Sequence, residues 1–312
     1  MSSKKRQPSL SQLRAFAAVA EHLHFRDAAA AIGMSQPALS GAVSALEETL
    51  GVTLLERTTR KVLLSPAGAR IAVRAKAVLA EVGSLMEEAE AVRAPFTGPL
   101  RLGVIPTVAP YLLPTVLRLT HDRYPDLDPQ VHEEQTASLL DGLATGRLDL
   151  LLLAVPLGAP GVTELPLFDE DFVLVAPTGH PLGGRDGIDR SVLRELPLLL
   201  LDEGHCLRDQ ALDICREAGR ANIPATTTAA GLSTLVQLVA GGLGVTLLPR
   251  TAVRVEVSHS GRLRTGSFAA PAPTRRIALA MRTGAARSAE YEQLADALRE
   301  AMRDLPVRLA DV

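Results

Sequence analysis

The run from Leu10 to Gly51 leaves little choice of fold. Leu10, Leu13, Phe16, Ala17 and Ala20 recur at helical spacing and make one apolar face. His22–Phe25 breaks that helix, and Asp27–Ile32 follows as a short second one, rich in alanine and so suited to close packing. Gly33 supplies a turn, Ser35 suits an N-cap, and Pro37 is tolerated in the first turn of a helix. The third helix runs through Ala38, Leu39, Val43, Leu46 and Leu50 and stops at Gly51. Two short helices, a glycine turn and a helix opening on small polar residues predict a helix-turn-helix.

In such a motif the polar residues at the start of the last helix reach base edges in the major groove. Here the candidates are Ser35, Gln36, Pro37, Ser40 and Ser44, with Arg26 beside them on the preceding helix. Glutamine pairs bidentately with adenine. Arg57, Arg60 and Lys61 lie in LLERTTRKVLLSPAG, which reads as a two-stranded wing holding phosphates or the minor groove. The competing reading is a three-helix packing unit with a solvated basic loop. Charge favours DNA. Residues 1–70 carry nine Lys and Arg against five Asp and Glu, so with a net charge of −2 the rest carries −6.

Ile71, Ala75, Val78, Val82, Leu85, Ala89 and Val92 follow 4-3 spacing over three repeats, a heptad seam with Glu81, Glu87, Glu88 and Arg93 outside it. Ser65 caps this connector and Pro95 ends it. The spacing favours a two-stranded coiled coil over a core-facing helix, and so a dimer. The expected division is a head at 1–65, a connector helix at 66–94 and a body at 98–312.

In the body, strand-like runs (LRLGVI, PQVHEEQ, LDLLLLAV, FVLVAP, LPLLLL, GLGVTLLP and RRIALAM) alternate with helical segments and end in a helix over Ser288–Arg303. That alternation predicts parallel α/β units. Crossovers near Phe168–Pro177 and Pro249–Ser267 would make two subdomains with a cleft, where open α/β sheets bind ligands at strand ends. The fold class is therefore α/β: a winged helix-turn-helix, a linker helix and a two-subdomain body. Tryptophan is absent and aromatics are 3%, which argues against binding by stacking on bases. No signal-peptide pattern and no apolar run of membrane length occurs, so we expect a cytoplasmic protein without a membrane partner.

The only cysteines, Cys206 and Cys215, lie in LDEGHCLRDQALDIC. Leu207, Ala211, Leu212 and Cys215 share a helical face, and Gly204 places the helix start near His205–Leu207. Cys206 would then sit near a helix N-terminus, where the dipole favours a thiolate, with His205 and Arg208 adding positive potential and Asp202 and Glu203 opposing it. Nine residues of helix rise about 13.5 Å and put the two side chains on opposite faces. A disulfide needs Cα atoms roughly 4.4–6.8 Å apart, so bonding them would require the segment to refold. Set against this, cytosolic cysteines are usually small buried hydrophobes. His205, Cys206 and Cys215 offer only three ligands where a structural zinc takes four, so neither metal nor cofactor is expected.

The string FRDAAAAIGMSQPALSGAVSALEETLGVTLLERTTRKVLLSPAG resembles the winged helix-turn-helix of the LysR family of bacterial transcription regulators, including SQPALS, LE, LG, LLER and the terminal AG. VIPTVAPYLLP, EEQT, PLFDED, GHCLRDQA, GVTLLP and YEQLA are similar to its peroxide-sensing branch. The resemblance implies a body like periplasmic binding proteins, dimerisation through the connector helix, assembly to a tetramer, and action on promoter DNA and RNA polymerase as activator or repressor. It implies that Cys206 attacks hydrogen peroxide, that Cys215 resolves it into a disulfide, and that a cytosolic dithiol resets it. It implies a peroxide pocket of Thr107, Thr136, His205 and an arginine, Arg275 rather than Arg276. Ala109 stands where the branch commonly has glycine, and DEG precedes the His-Cys where its acidic order differs; both bear on pocket width. The alternatives are a LysR-type regulator answering to a metabolite in the cleft and, against the presence of the head, a thiol peroxidase; a regulator is not expected to be an enzyme.

Overall fold

The computed structural model describes residues 7–57, 62–91, 94–220, 227–258 and 261–310. The chain divides into two compact units, residues 1–89 with 144–147 and residues 90–143 with 148–312.

In the first unit α1 (Leu10–His22), α2 (Phe25–Ala31) and α3 (Gln36–Leu50) pack around Leu13, Phe16, Val19, Ala28, Leu39, Val43 and Leu46. Ser9 and Gln12 form a capping box at α1, and Gly51 closes α3 in the left-handed region at φ 68°. Leu10, expected on the apolar face, is 42% exposed at the first turn. The wing strands β1 (Leu55–Arg57) and β2 (Val62–Leu64) pair antiparallel. Glu47 ties α3 to the wing by accepting the Leu54 and Leu55 amides at 2.7 and 3.2 Å.

The linker helix α4 (Pro66–Ala91) starts beneath Ser65, whose hydroxyl accepts the Gly68 amide at 2.9 Å. A Cβ at Gly68 would stand 2.0 Å from the Leu54 carbonyl oxygen, so only glycine lets the helix approach this closely. The first turns of α4 behave as a core helix: Ala72 and Ala75 are buried in the head core, with Ile71 and Leu79 packed on it. Farther along, the seam positions Val78 and Leu85 are 45% and 68% exposed. Val92 and Arg93 fall outside the described residues.

The second unit opens with β3 (Gly98–Val104), α5 (Ala109–Arg123), β4 (Leu127–Glu133), α6 (Thr136–Ala144) and β5 (Leu150–Val155). Strand β3 lies parallel to both β4 and β5. The sequence predicted α5 from Pro106-Thr107; it begins at Ala109 with Val108 at its N-cap. Next come β6 (Val162–Pro177), β7 (Leu200–Leu201), α7 (Cys206–Glu217), β8 (Thr228–Ala229), α8 (Leu232–Ala240), β9 (Thr246–Pro249) and α9 (Arg250–Glu256). The unit ends with β10 (Leu263–Ser267), β11 (Thr274–Arg282), α10 (Ser288–Ala301) and β12 (Arg308–Leu309).

The sheet is mixed, not parallel throughout. Strand β6 pairs antiparallel with β11 along its first part and with β9 and β10 along its second. This 16-residue strand extends the expected FVLVAP run by ten residues and carries the first crossover. The chain returns between β10 and β11, after Ser267 rather than before it. LPLLLL is strand only at Leu200–Leu201; Leu199 donates to the Val245 carbonyl at 2.8 Å and continues the second sheet irregularly.

Two cores result. One gathers β3, β5, β11, α5 and α10 around Leu102, Leu151, Phe168, Leu279 and Leu298. The other gathers Phe172, Leu174, Leu200, Leu207, Cys215, Leu235 and Leu248.

Candidate functional site

Helix α7 bridges these two cores. Cys206 begins it, half-buried, and packs against the first core; Cys215, two and a half turns on, is fully buried in the second. His205 is the N-cap residue and is buried. Ahead of it Gly204 sits at φ +90°, with the Gln135 amide so close that a Cβ would stand 2.3 Å from its oxygen. The end of the Gln135 side chain can swing away, so it is the left-handed backbone that favours glycine there. Arg208 donates to the Leu201 carbonyl at 2.8 Å, fixing the first turn of α7 to the end of β7.

The turn after β3 brings Thr107 to the same place, and the start of α6 brings Thr136. Thr107 is buried, and its hydroxyl accepts from Arg275 Nη1 at 3.1 Å while its carbonyl accepts from Nη2 at 3.1 Å. It caps no helix. The Thr136 hydroxyl and the Leu207 amide lie near enough to the Cys206 sulfur to favour its thiolate. Of the two candidate arginines, Arg275 points inward and is 3% exposed, whereas Arg276 pairs with Asp169 at 2.7 Å on the half-exposed side of β11. This is the alternation a strand imposes.

Sequence reasoning gave Arg275 no partner. Glu170, its cross-strand neighbour, accepts from Nε at 2.8 Å and is itself held by the Thr251 amide and hydroxyl at 3.0 and 2.7 Å. PLFDED supplied the acid; only strand register could reveal that it faces the arginine.

Burial pushes the Cys206 thiol above its ordinary pKa and so outweighs the pull toward thiolate that a helix start exerts, a balance the sequence left open. The positive charge of Arg275, the Thr136 hydroxyl and the Leu207 amide work against that rise, and Asp209 adds to it. Burial raises the Cys215 thiol too, with Arg220 opposing. Both cysteines are free thiols. The resting arrangement therefore stores a thiol and surrounds the sulfur with groups that stabilise a thiolate once it forms.

In the head, Ser35 caps α3 through the Ala38 amide at 3.4 Å, and Gln36 and Pro37 are exposed in its first turn. Gln36, Ser40 and Ser44 stand four residues apart on one side of α3, and Arg26 is exposed on α2. Arg57 ends β1; Arg60 and Lys61 lie outside the described residues.

Residues 10–69 match the family model for the bacterial regulatory helix-turn-helix protein of the lysR family, and residues 93–303 match the LysR substrate binding domain. A probable hydrogen peroxide-inducible genes activator of Streptomyces viridosporus is 84% identical over 99% of both chains. The DNA-binding transcriptional dual regulator OxyR of Escherichia coli K12 is 43% identical over 94% of this chain and 96% of its own. A full-length OxyR variant from Pseudomonas aeruginosa superposes with a TM-score of 0.80 at 35% identity, over 98% of this chain and 100% of that one. With a family helix-turn-helix at one end, a family substrate-binding domain over most of the remainder, and close relatives along its whole length, the chain belongs to the LysR family of bacterial transcription regulators.

Proposed function

We propose that this chain is a hydrogen-peroxide-sensing transcription regulator that binds promoter DNA through α3 and the wing and is switched by a Cys206–Cys215 disulfide. The observation that carries the reading is the setting of Cys206. A half-buried thiol at a helix start lies where Arg275, Thr136 and the Leu207 amide all favour its thiolate, while the other cysteine lies buried in the other core. A metabolite-binding regulator would have no need of that arrangement.

In this mechanism the Cys206 thiolate attacks one peroxide oxygen. The O–O bond breaks, the sulfur is oxidised to a sulfenic acid, and the second oxygen leaves as hydroxide and takes a proton to become water. Thr107, His205 and Arg275 orient the peroxide and stabilise the departing oxygen. The Cys215 thiolate then attacks the sulfenic sulfur; an S–S bond forms and the hydroxyl departs as water. The refolded α7 changes subunit packing in a homo-oligomer joined through α4 and assembled to a tetramer, which moves the heads on DNA and alters RNA polymerase recruitment. A cytosolic dithiol returns both thiols. The test is thiol counting by mass spectrometry before and after one equivalent of peroxide, alongside DNA footprinting. Loss of both thiols with a shifted footprint is expected; two intact thiols, or a disulfide with an unchanged footprint, would refute the switch.

A further inference from the structure

Beside the sensing site, α5, α9 and the segment after α10 enclose a surface cavity of about 450 Å³. Arg118, Arg250 and Arg254 line it, with Asp304 the only acid among its lining residues. Arg118 and Arg254 are exposed and Arg250 is half-buried. None of the three has a hydrogen-bond or ion-pair partner among the described residues. Most other arginines of this unit are engaged, Arg101 with Asp149, Arg190 with Glu217, Arg287 with Glu290 and Arg308 with Asp171. A concentration of unpaired guanidinium groups therefore occurs in a part of the chain whose formal charge is negative.

Guanidinium forks match carboxylate and phosphate oxygens bidentately, and converging like charges in a concave wall focus potential on a small ion. The volume falls in the range of small-molecule sites, roughly 300–1,000 Å³. Thr251 is also part of the wall, and it is the residue whose amide and hydroxyl hold Glu170. Glu170 holds Arg275, which holds Thr107.

We propose that this cavity binds a small polyanion carrying at least two carboxylate or phosphate groups, and that its occupancy reaches the thiol site through Thr251, Glu170 and Arg275. The relay rests on the sensing role proposed above; the binding site does not. An occupant drawing Arg250 and Arg254 together tightens the wall that positions Thr251, and so changes the charge environment of Cys206.

The test uses reduced full-length protein at constant ionic strength, titrated calorimetrically with citrate and with pyrophosphate, and with acetate as the monovalent control. Saturable binding of citrate, pyrophosphate or both, weakened roughly tenfold by Arg250→Gln together with Arg254→Gln, is expected. Preference between the two probes identifies the group recognised. No saturable binding of either probe up to about 10 mM, or binding left unchanged by those substitutions, overturns the site. Arg118→Gln, at an exposed position, repeats the comparison without risk to the fold. The relay is read by iodoacetamide alkylation of Cys206, which needs no peroxide. A changed rate at saturating citrate, lost in Thr251→Val, supports it, and an unchanged rate overturns it.

Discussion

Arg275 and Glu170 face each other across β11 and β6, joined at 2.8 Å with 1% of each side chain exposed, one residue before β6 passes from the first core to the second. Removing one partner of such a buried pair leaves an uncompensated charge, which costs about 3–5 kcal/mol. Glu170→Ala should lower the unfolding free energy by that amount, read as a lower urea midpoint at unchanged m-value. Arg275→Met together with Glu170→Met should recover most of the stability without restoring fast Cys206 oxidation, because Thr107 then lacks its donor. Restored oxidation in the double variant would show that the pair serves only the fold.

The raised Cys206 pKa fixes the direction of a pH profile. The alkylation rate of Cys206, measured in Cys215→Ala, should still be climbing where an ordinary thiol, near 8.5, has levelled off. Thr136→Val and Arg275→Met each remove a group that favours the thiolate and should move the profile higher. Stability follows the same linkage: above the unfolded thiol pKa the folded state retains the proton longer, so this group's contribution declines as pH rises. A plateau below the ordinary thiol range would contradict the assignment of burial as the dominant influence.

At the head, Gln36→Ala should cost about 1–3 kcal/mol on specific DNA and relax preference at one position per half-site. Arg26→Ala should weaken specific and random DNA alike and flatten the salt dependence. Equal losses on both DNAs for Gln36→Ala would remove the proposed base contact.

The heptad spacing of α4 carried two meanings at once, and only packing separates them. Ile71, Ala75 and Leu79 serve the head core, while Val78 and Leu85 stay exposed. Local signals in the sequence were legible in the same way: the Ser35 cap, the Gly51 stop and the start of α7 depend on neighbours within a few residues. The Arg275–Glu170–Thr251 chain was not, because it depends on strand register between segments 105 residues apart and on the docking of α9, 81 residues along the chain from Glu170. The direction of the Cys206 pKa stayed open in the sequence for a related reason: the helix start is local, whereas the burial that outweighs it comes from tertiary packing.

Val78→Asp combined with Leu85→Asp places charge on the exposed apolar side of α4 and should not unfold the head, since neither residue belongs to its core. Burying those charges in a helix pair is costly, so the oligomer should dissociate and binding to palindromic DNA should fall. Light scattering that finds the same oligomer, with the same DNA affinity, would assign the dimer contact elsewhere.

The two cysteines make the most demanding prediction, because α7 holds them apart in three respects. They are nine positions apart along one helix, about 13.5 Å of rise; they point to opposite sides; and they pack into different cores. A disulfide therefore requires Cys206 to leave the first core and α7 to unwind. Cys206→Ser should show no peroxide-dependent footprint change. Cys215→Ala should still form a sulfenic acid at Cys206, trappable with dimedone and prone to overoxidation without a resolving thiol. In the wild type, amide exchange between Asp202 and Glu217 should accelerate on oxidation, because the helical hydrogen bonds that protect these amides are lost. Unchanged exchange in protein shown to carry the Cys206–Cys215 bond would mean the thiols meet without unwinding, and the refolding step would fall even with peroxide sensing intact.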